Sequence, residues 1–168
     1  MTTSLPERSR HVAAVLAEAG ARGRVRQLAD STRTAAEAAA ALGCEVGAIA
    51  NSLIFISDGE PVLVLTSGAH RVDTEALAQR WGRGELARAT PEQVRAATGQ
   101  VIGGVAPVGH PRPLPTAVDA ALADHPQIWA VAGTPRTVFP TTAEELRELT
   151  AAAVLDVTST LPAQRPRP

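Results

Sequence analysis

Two apolar stretches, Ile49 to Ile56 and Val62 to Leu65, flank the tetrapeptide Ser57-Asp58-Gly59-Glu60. An Asp-Gly pair between strand-like runs is a strong hairpin signal, because the tight turn needs left-handed backbone that these residues tolerate. The pieces Leu53-Ile54-Phe55-Ile56 and Val62-Leu63-Val64-Leu65 are apolar at every position. A strand of that kind is buried on both faces, so the hairpin belongs at the centre of a sheet.

Helices and short strands surround it. Ser4-Leu5-Pro6-Glu7 reads as a helix start with Ser4 as the N-cap, followed by Val12, Val15, Leu16 and Ala19 at helical spacing and a stop at Gly20. Arg24 to Ala29 alternates like a half-exposed strand. An alanine-rich helix is expected from Thr34 to Leu42, ended by Gly43. Beyond the hairpin come a helix over Asp73 to Arg80 ending at Gly82, a strand over Leu86 to Ala89, and a helix opened by the capping box Thr90-Pro91-Glu92-Gln93 and closed at Gly99. Gln100 to Pro115, rich in glycine and proline yet holding buried-type residues, is expected as an ordered loop. Thr116 to Ala123 reads as helix, Gln127 to Ala132 and Val138-Phe139 as strands, Thr142 as the cap of a helix ending near Thr150, and Ala153 to Val157 as the closing strand. The 168 residues suit one domain, expected over 1–158, with a proline-rich disordered tail over 159–168. Helices and strands mix without regular βαβ alternation, which predicts an α+β fold with a mixed, largely antiparallel sheet.

The charge pattern narrows the function. The net charge is −1, against the basic excess of proteins that grip long nucleic acid, so DNA is not an expected partner, although a balanced charge is compatible with a protein that handles only the end of a nucleic acid. All 16 basic residues are arginine, so no reaction that depends on a lysine ammonium can run in this chain. Segment 1–33 carries a modest surplus of arginine, read as a solvated helix face. No apolar run is long enough for a membrane span, and Met1 to Arg10 lacks the apolar core of a signal peptide, which makes the cytoplasm the expected compartment. Cys44 is the single cysteine, so neither an internal disulfide nor a multi-cysteine metal site is expected. Phosphate-binding, dinucleotide-binding and nucleophile-elbow motifs are absent, and no cofactor is expected.

Three polar segments remain as candidates for chemistry. In Ile49-Ala50-Asn51-Ser52-Leu53, alternation sends Asn51 and Ser52 to opposite faces of the strand, one toward a cavity and one toward packing. In Gly103-Gly104-Val105-Ala106-Pro107-Val108-Gly109-His110-Pro111, glycines permit close approach of a ligand to backbone N–H groups and prolines stiffen the loop. Such a loop can aim amides at a developing oxyanion. In Ala132-Gly133-Thr134-Pro135-Arg136, the threonine can bond a carbonyl or ribose and the arginine a phosphate or carboxylate. Taken singly, each is as readily an ordinary turn or strand edge.

Together with Thr34–Gly43 and Ser67–Asp73, these segments in this order resemble the YbaK/EbsC family of free-standing aminoacyl-tRNA editing domains, relatives of the domain inserted in bacterial prolyl-tRNA synthetases. The resemblance runs from about Thr34 to Val157, and Thr98–Pro111 is its most specific part. It implies a mixed sheet curled into a partial barrel with flanking helices. It also implies a trans-acting deacylase that hydrolyses the ester of a mischarged tRNA, needing no cofactor or metal and no protein nucleophile. The tRNA acceptor end is then the partner, with an aminoacyl-tRNA synthetase as a second candidate. On this resemblance Asn51 orients the ester or ribose, and the amides of Gly103, Gly104 and Val105 stabilise the oxyanion. Ser52, Pro107, Gly109, His110, Gly133 and Thr134 line the substrate site, Thr134 shaping the amino-acid pocket. Many relatives carry lysine where this chain has Asn51, so Arg136 or Arg71 is expected to supply the missing cation. The alternative is a non-catalytic module of the same fold that binds tRNA ends, amino acids or a synthetase. A third reading is hydrolysis of another small ester or amide.

Overall fold

The computed structural model describes residues 5–29 and 34–158. The hairpin forms where expected: β2 (Ile49–Ser57) and β3 (Glu60–Ser67) pair antiparallel, with Leu53 opposite Val64 and Phe55 opposite Val62. Asp58 and Gly59 take φ of 53° and 79°, the left-handed pair that a two-residue turn of this kind requires. The other strands are β1 (Arg26–Gln27), β4 (Ala87–Arg88), β5 (Thr116–Asp119), β6 (Ile128–Val131), β7 (Thr137–Thr141) and β8 (Ala153–Leu155). Among the described residues these and the hairpin make an eight-stranded sheet in the order β1-β7-β6-β2-β3-β5-β8, with β4 attached separately to β2. The pairs β2–β6, β3–β5 and β5–β8 are parallel, the rest antiparallel, so the sheet is mixed and open at β1 and β8.

Alternation along the hairpin sorts the core into two faces. Ala50, Ile54, Leu63 and Leu65 point to one face with Val118, Ile128, Ala130 and Phe139. That face is covered by Val12 and Leu16 of α1 (Glu7–Glu18), Val94 of α4 (Pro91–Thr98) and Leu146 of α5 (Ala143–Thr150), together with Val105, Ala106 and Val108 of the long loop. On the opposite face, Phe55, Val62 and Val64 meet Leu77 and Ala78 of α3 (Thr74–Trp81), while Ile49, Trp129 and Val138 meet Ala38 and Ala39 of α2 (Ala35–Leu42). Leu63, Leu65 and Phe139 are fully buried. Each such side chain contributes about 1.5–3 kcal/mol through the surface it removes from water.

Local signals set most helix ends. Thr34 with Glu37 and Thr90 with Gln93 form complete capping boxes, and Gly43, Gly82 and Gly99 stop their helices in the left-handed conformation. Four expectations need correction. α1 has Pro6 at its N-cap position with no side-chain cap, and Ser4 lies outside the described residues. The strand read over Arg24 to Ala29 contracts to Arg26–Gln27. Thr116 to Ala123 is not a helix: Thr116–Asp119 is a fully buried strand between β3 and β8, and only Ala120–Asp124 coils, as a 3₁₀ turn. Burial between two strands overrides the helical preference of its alanines. The closing strand is shorter than read, ending at Leu155, and the tail over 159–168 lies outside the described residues. Among the described residues no helix is long and apolar enough to cross a membrane.

Candidate active site

β2 is the longest strand, yet one of its edges is incomplete. Its ladder with β6 ends at Ala50–Ala130, and its ladder with β4 begins at Phe55–Arg88. Residues 51–53 therefore face a notch between two neighbouring strands. Gly68 N–H donates to the Ile49 carbonyl on the β3 side, and Ala89 N–H to the Ile54 carbonyl on the other side. Peptide groups alternate along an antiparallel strand, so those of Ser52 point into the notch.

The side chains flank this opening as alternation requires. Ser52 shares the face of Ala50 and Ile54, and its buried Oγ has no hydrogen-bond partner among the described residues. Asn51 lies on the opposite face, half-buried, and its side-chain amide makes no hydrogen bond among the described residues. Register places Asn51 beside Thr66 and Thr66 beside Asp119, a polar row across three strands above the apolar row Leu53, Val64 and Ala117. The Asp119 carboxylate is 1% exposed and accepts from Ser67 N–H at 3.0 Å, the Thr66 hydroxyl at 3.3 Å, His70 Nδ1 at 2.8 Å and Ala121 N–H at 3.0 Å. Sequence reading missed this cluster, because Asp119 was read as part of a helix.

β6 leads out of the notch into the turn Gly133–Arg136, and the glycine loop packs on that turn. A Cβ at Gly104 would stand 2.9 Å from Thr134 Cα and 3.2 Å from both the Gly133 carbonyl oxygen and Pro135 Cδ, so only glycine permits this approach. The structure thus brings Gly103–Gly104 against Gly133–Pro135 at the end of β6, the strand that pairs β2 at Ile49 and Ala50. One expected donor is lost: Gly104 N–H is committed to the Val101 carbonyl at 2.8 Å. Gly103 and Val105, the latter 3% exposed, keep N–H groups with no acceptor among the described residues. A buried amide without a partner is a group that a ligand can satisfy.

Gly109 and His110 sit elsewhere. His11 Nε2 and the Gly109 carbonyl are 3.2 Å apart, and both loop residues line a separate hollow of about 510 Å³ with Glu7, Arg8 and His11 of α1. They anchor the loop to the helix rather than line the notch. Pro107 is buried within the loop. Arg136 is exposed, its guanidinium bonded to the Ala29 carbonyl and its own carbonyl accepting from Leu28 N–H at 2.7 Å. Arg71 is exposed in the segment after β3 and makes no hydrogen bond to the other candidate residues among the described residues.

Burial pushes the His110 imidazole below its ordinary pKa, opposed in part by the hydrogen bond that Nε2–H donates to the Ala106 carbonyl at 2.8 Å. The unfolded chain therefore takes up a proton at higher pH than the folded protein does. Stability held above the ordinary value of 6.5 is lost as pH falls below it toward the folded value. Urea unfolding as a function of pH should show this loss, and His110→Gln should reduce its slope below pH 6.5. An identical slope in the variant would show that another group is responsible.

The model of the aminoacyl-tRNA editing domain family matches residues 29–149. A crystal structure described as a proposed trans-editing enzyme for prolyl tRNA synthetase superposes with a TM-score of 0.88 at 45% identity, covering 93% of this chain and 99% of that one. A proline–tRNA ligase of Nitratidesulfovibrio vulgaris strain DP4 is 37% identical over 101 residues, which are 60% of this chain but 16% of the ligase. The uncharacterized protein YwhH of Bacillus subtilis strain 168 is 28% identical over 125 residues, 74% of this chain and 79% of that protein.

Proposed function

Because the chain belongs to the aminoacyl-tRNA editing domain family, we propose that it acts in trans as a deacylase, hydrolysing the ester between a wrong amino acid and the 3′ end of a tRNA. The observation that best supports this reading is the packing of Gly104 on Thr134 and Pro135 at the end of β6, the strand that pairs β2 up to the notch, together with side chains of Asn51 and Ser52 and amides of Gly103 and Val105 that have no partner among the described residues. An aminoacyl ester is already activated, so positioning and charge stabilisation suffice. Water adds to the ester carbonyl carbon, and the oxygen that gains negative charge meets the Gly103 and Val105 N–H groups. The C–O bond to the ribose then breaks, the ribose oxygen takes the proton from the attacking water, and the free amino acid departs.

Asn51 supplies a neutral hydrogen bond to the ester or ribose. Its amide is worth less than a charged partner, by about 1–2 kcal/mol. Arg71 and Arg136 are exposed cations that lie within the segments Ser67–Asp73 and Ala132–Arg136, and we assign them to the phosphates of the acceptor end. A non-catalytic binding module is favoured by one observation, the absence of lysine throughout the chain. A screen of aminoacylated tRNAs separates the two readings. Turnover that drops roughly tenfold in Asn51→Ala supports the deacylase. Tight binding of every charged tRNA without release of amino acid supports the module.

A further inference from the structure

Gly133, at φ of 107°, lets its turn sit directly on α1: a Cβ there would lie 3.1 Å from the Arg8 carbonyl carbon and oxygen and 3.3 Å from Ser9 N. This contact buries a chain of three hydroxyls. Ser9 Oγ is 2.8 Å from Thr137 Oγ1, which is 2.9 Å from Thr134 Oγ1. Ser9 and Thr137 are both 0% exposed, while Thr134 is half-buried against Gly104.

Counting protons and lone pairs fixes the direction of the chain. A hydroxyl has one proton to give and two lone pairs to fill. Thr98 and Thr150 bond back to the carbonyl one helical turn earlier, but the Ser9 hydroxyl has Thr137 Oγ1 as its one partner among the described residues. Left undonated at full burial, the Ser9 proton would carry the whole desolvation cost, so it goes to Thr137. Thr134 N–H also points at Thr137 Oγ1, at 3.3 Å, which fills both of its lone pairs. The Thr137 proton then goes to its shorter acceptor, Thr134 Oγ1 at 2.9 Å rather than the Thr134 carbonyl at 3.3 Å. Thr134 Oγ1 also accepts from Arg136 N–H at 3.2 Å, so its lone pairs are full as well. Only its proton is left, with no acceptor among the described residues.

Resting on the deacylase reading, we infer that Ser9 is a positioning residue whose hydroxyl sets this relay, so that Thr134 meets the substrate as a hydrogen-bond donor only. The group it contacts is an oxygen acceptor of the aminoacyl ester, its carbonyl or side-chain oxygen, and not the α-ammonium. In Ser9→Ala the freed lone pair of Thr137 draws the Thr134 proton inward, and the donor is withdrawn from the site.

Two measurements test this. Neutron diffraction from the deuterium-exchanged protein locates the hydroxyl deuterons without any substrate. Deuterons running from Ser9 to Thr137 to Thr134 support the relay, and the reverse order overturns it. On a charged tRNA that the protein deacylates, Ser9→Ala should lower kcat roughly tenfold with little change in KM. The same substitution in a Thr134→Val background should add no further loss. A full additional loss there would show that Ser9 acts on packing alone and would refute the assignment. If the wild-type protein releases no amino acid from any charged tRNA, the deacylase reading fails, and the neutron map still decides the relay.

Discussion

Asp119→Ala is expected to remove about 3–5 kcal/mol of folding stability, a large part of the 5–15 kcal/mol typical of a domain. The substitution deletes no large apolar surface. It strands the groups that the carboxylate satisfies: the amides of Ser67 and Ala121, the Thr66 hydroxyl and His70. Thr66 and Ser67 are each 2% exposed, so water cannot replace the lost acceptor without opening the sheet. Asp119→Asn keeps an acceptor oxygen for part of this set and should cost less than the alanine variant. Urea titrations with an unchanged m-value measure both losses. A midpoint in Asp119→Ala close to that of the wild-type protein would mean that the donors find other partners, and the cluster would lose its structural role.

Gly104→Ala should produce the largest functional change. The added methyl meets Thr134 Cα, the Gly133 carbonyl and the Pro135 ring, and the first two are backbone that no rotamer change can move aside. Loop and turn must separate, at a cost of about 1–3 kcal/mol in stability. On the proposed deacylation the larger effect falls on catalysis, since the displaced amides of Gly103 and Val105 would no longer meet the ester carbonyl. A misplacement of about 1 Å lowers kcat/KM on the order of 100-fold. Wild-type kcat/KM in a variant with a lowered melting temperature would place the ester away from this loop.

The hairpin, the capping box at Thr90 and the glycine stops were legible in the sequence because each is decided within a few residues. What the sequence hid was settled over long distances. The parallel pairing of β5 between β3 and β8 turned an alanine-containing segment into strand, and Asp119 with it. The commitment of Gly104 N–H to Val101 depends on a turn inside an irregular loop, which no periodicity announces. Ser9 did leave a trace: it stands three residues before Val12 and seven before Leu16, on the buried stripe of α1, where a polar side chain must have a partner. Naming that partner as Thr137 needed the fold. Asn51 and Ser52 were separated correctly by alternation, which also accounts for their lying on different faces of the sheet.

The notch in β2 has a thermodynamic consequence. A ligand that hydrogen-bonds the Ser52 peptide stands in for a missing strand at the middle of the sheet, so occupancy and folding are linked through the same bonds. Any molecule that settles there at a concentration well above its dissociation constant raises the unfolding temperature in proportion to the logarithm of that ratio. A plain melting curve thereby becomes a way to search for what this protein holds, with no assumption about the reaction that follows.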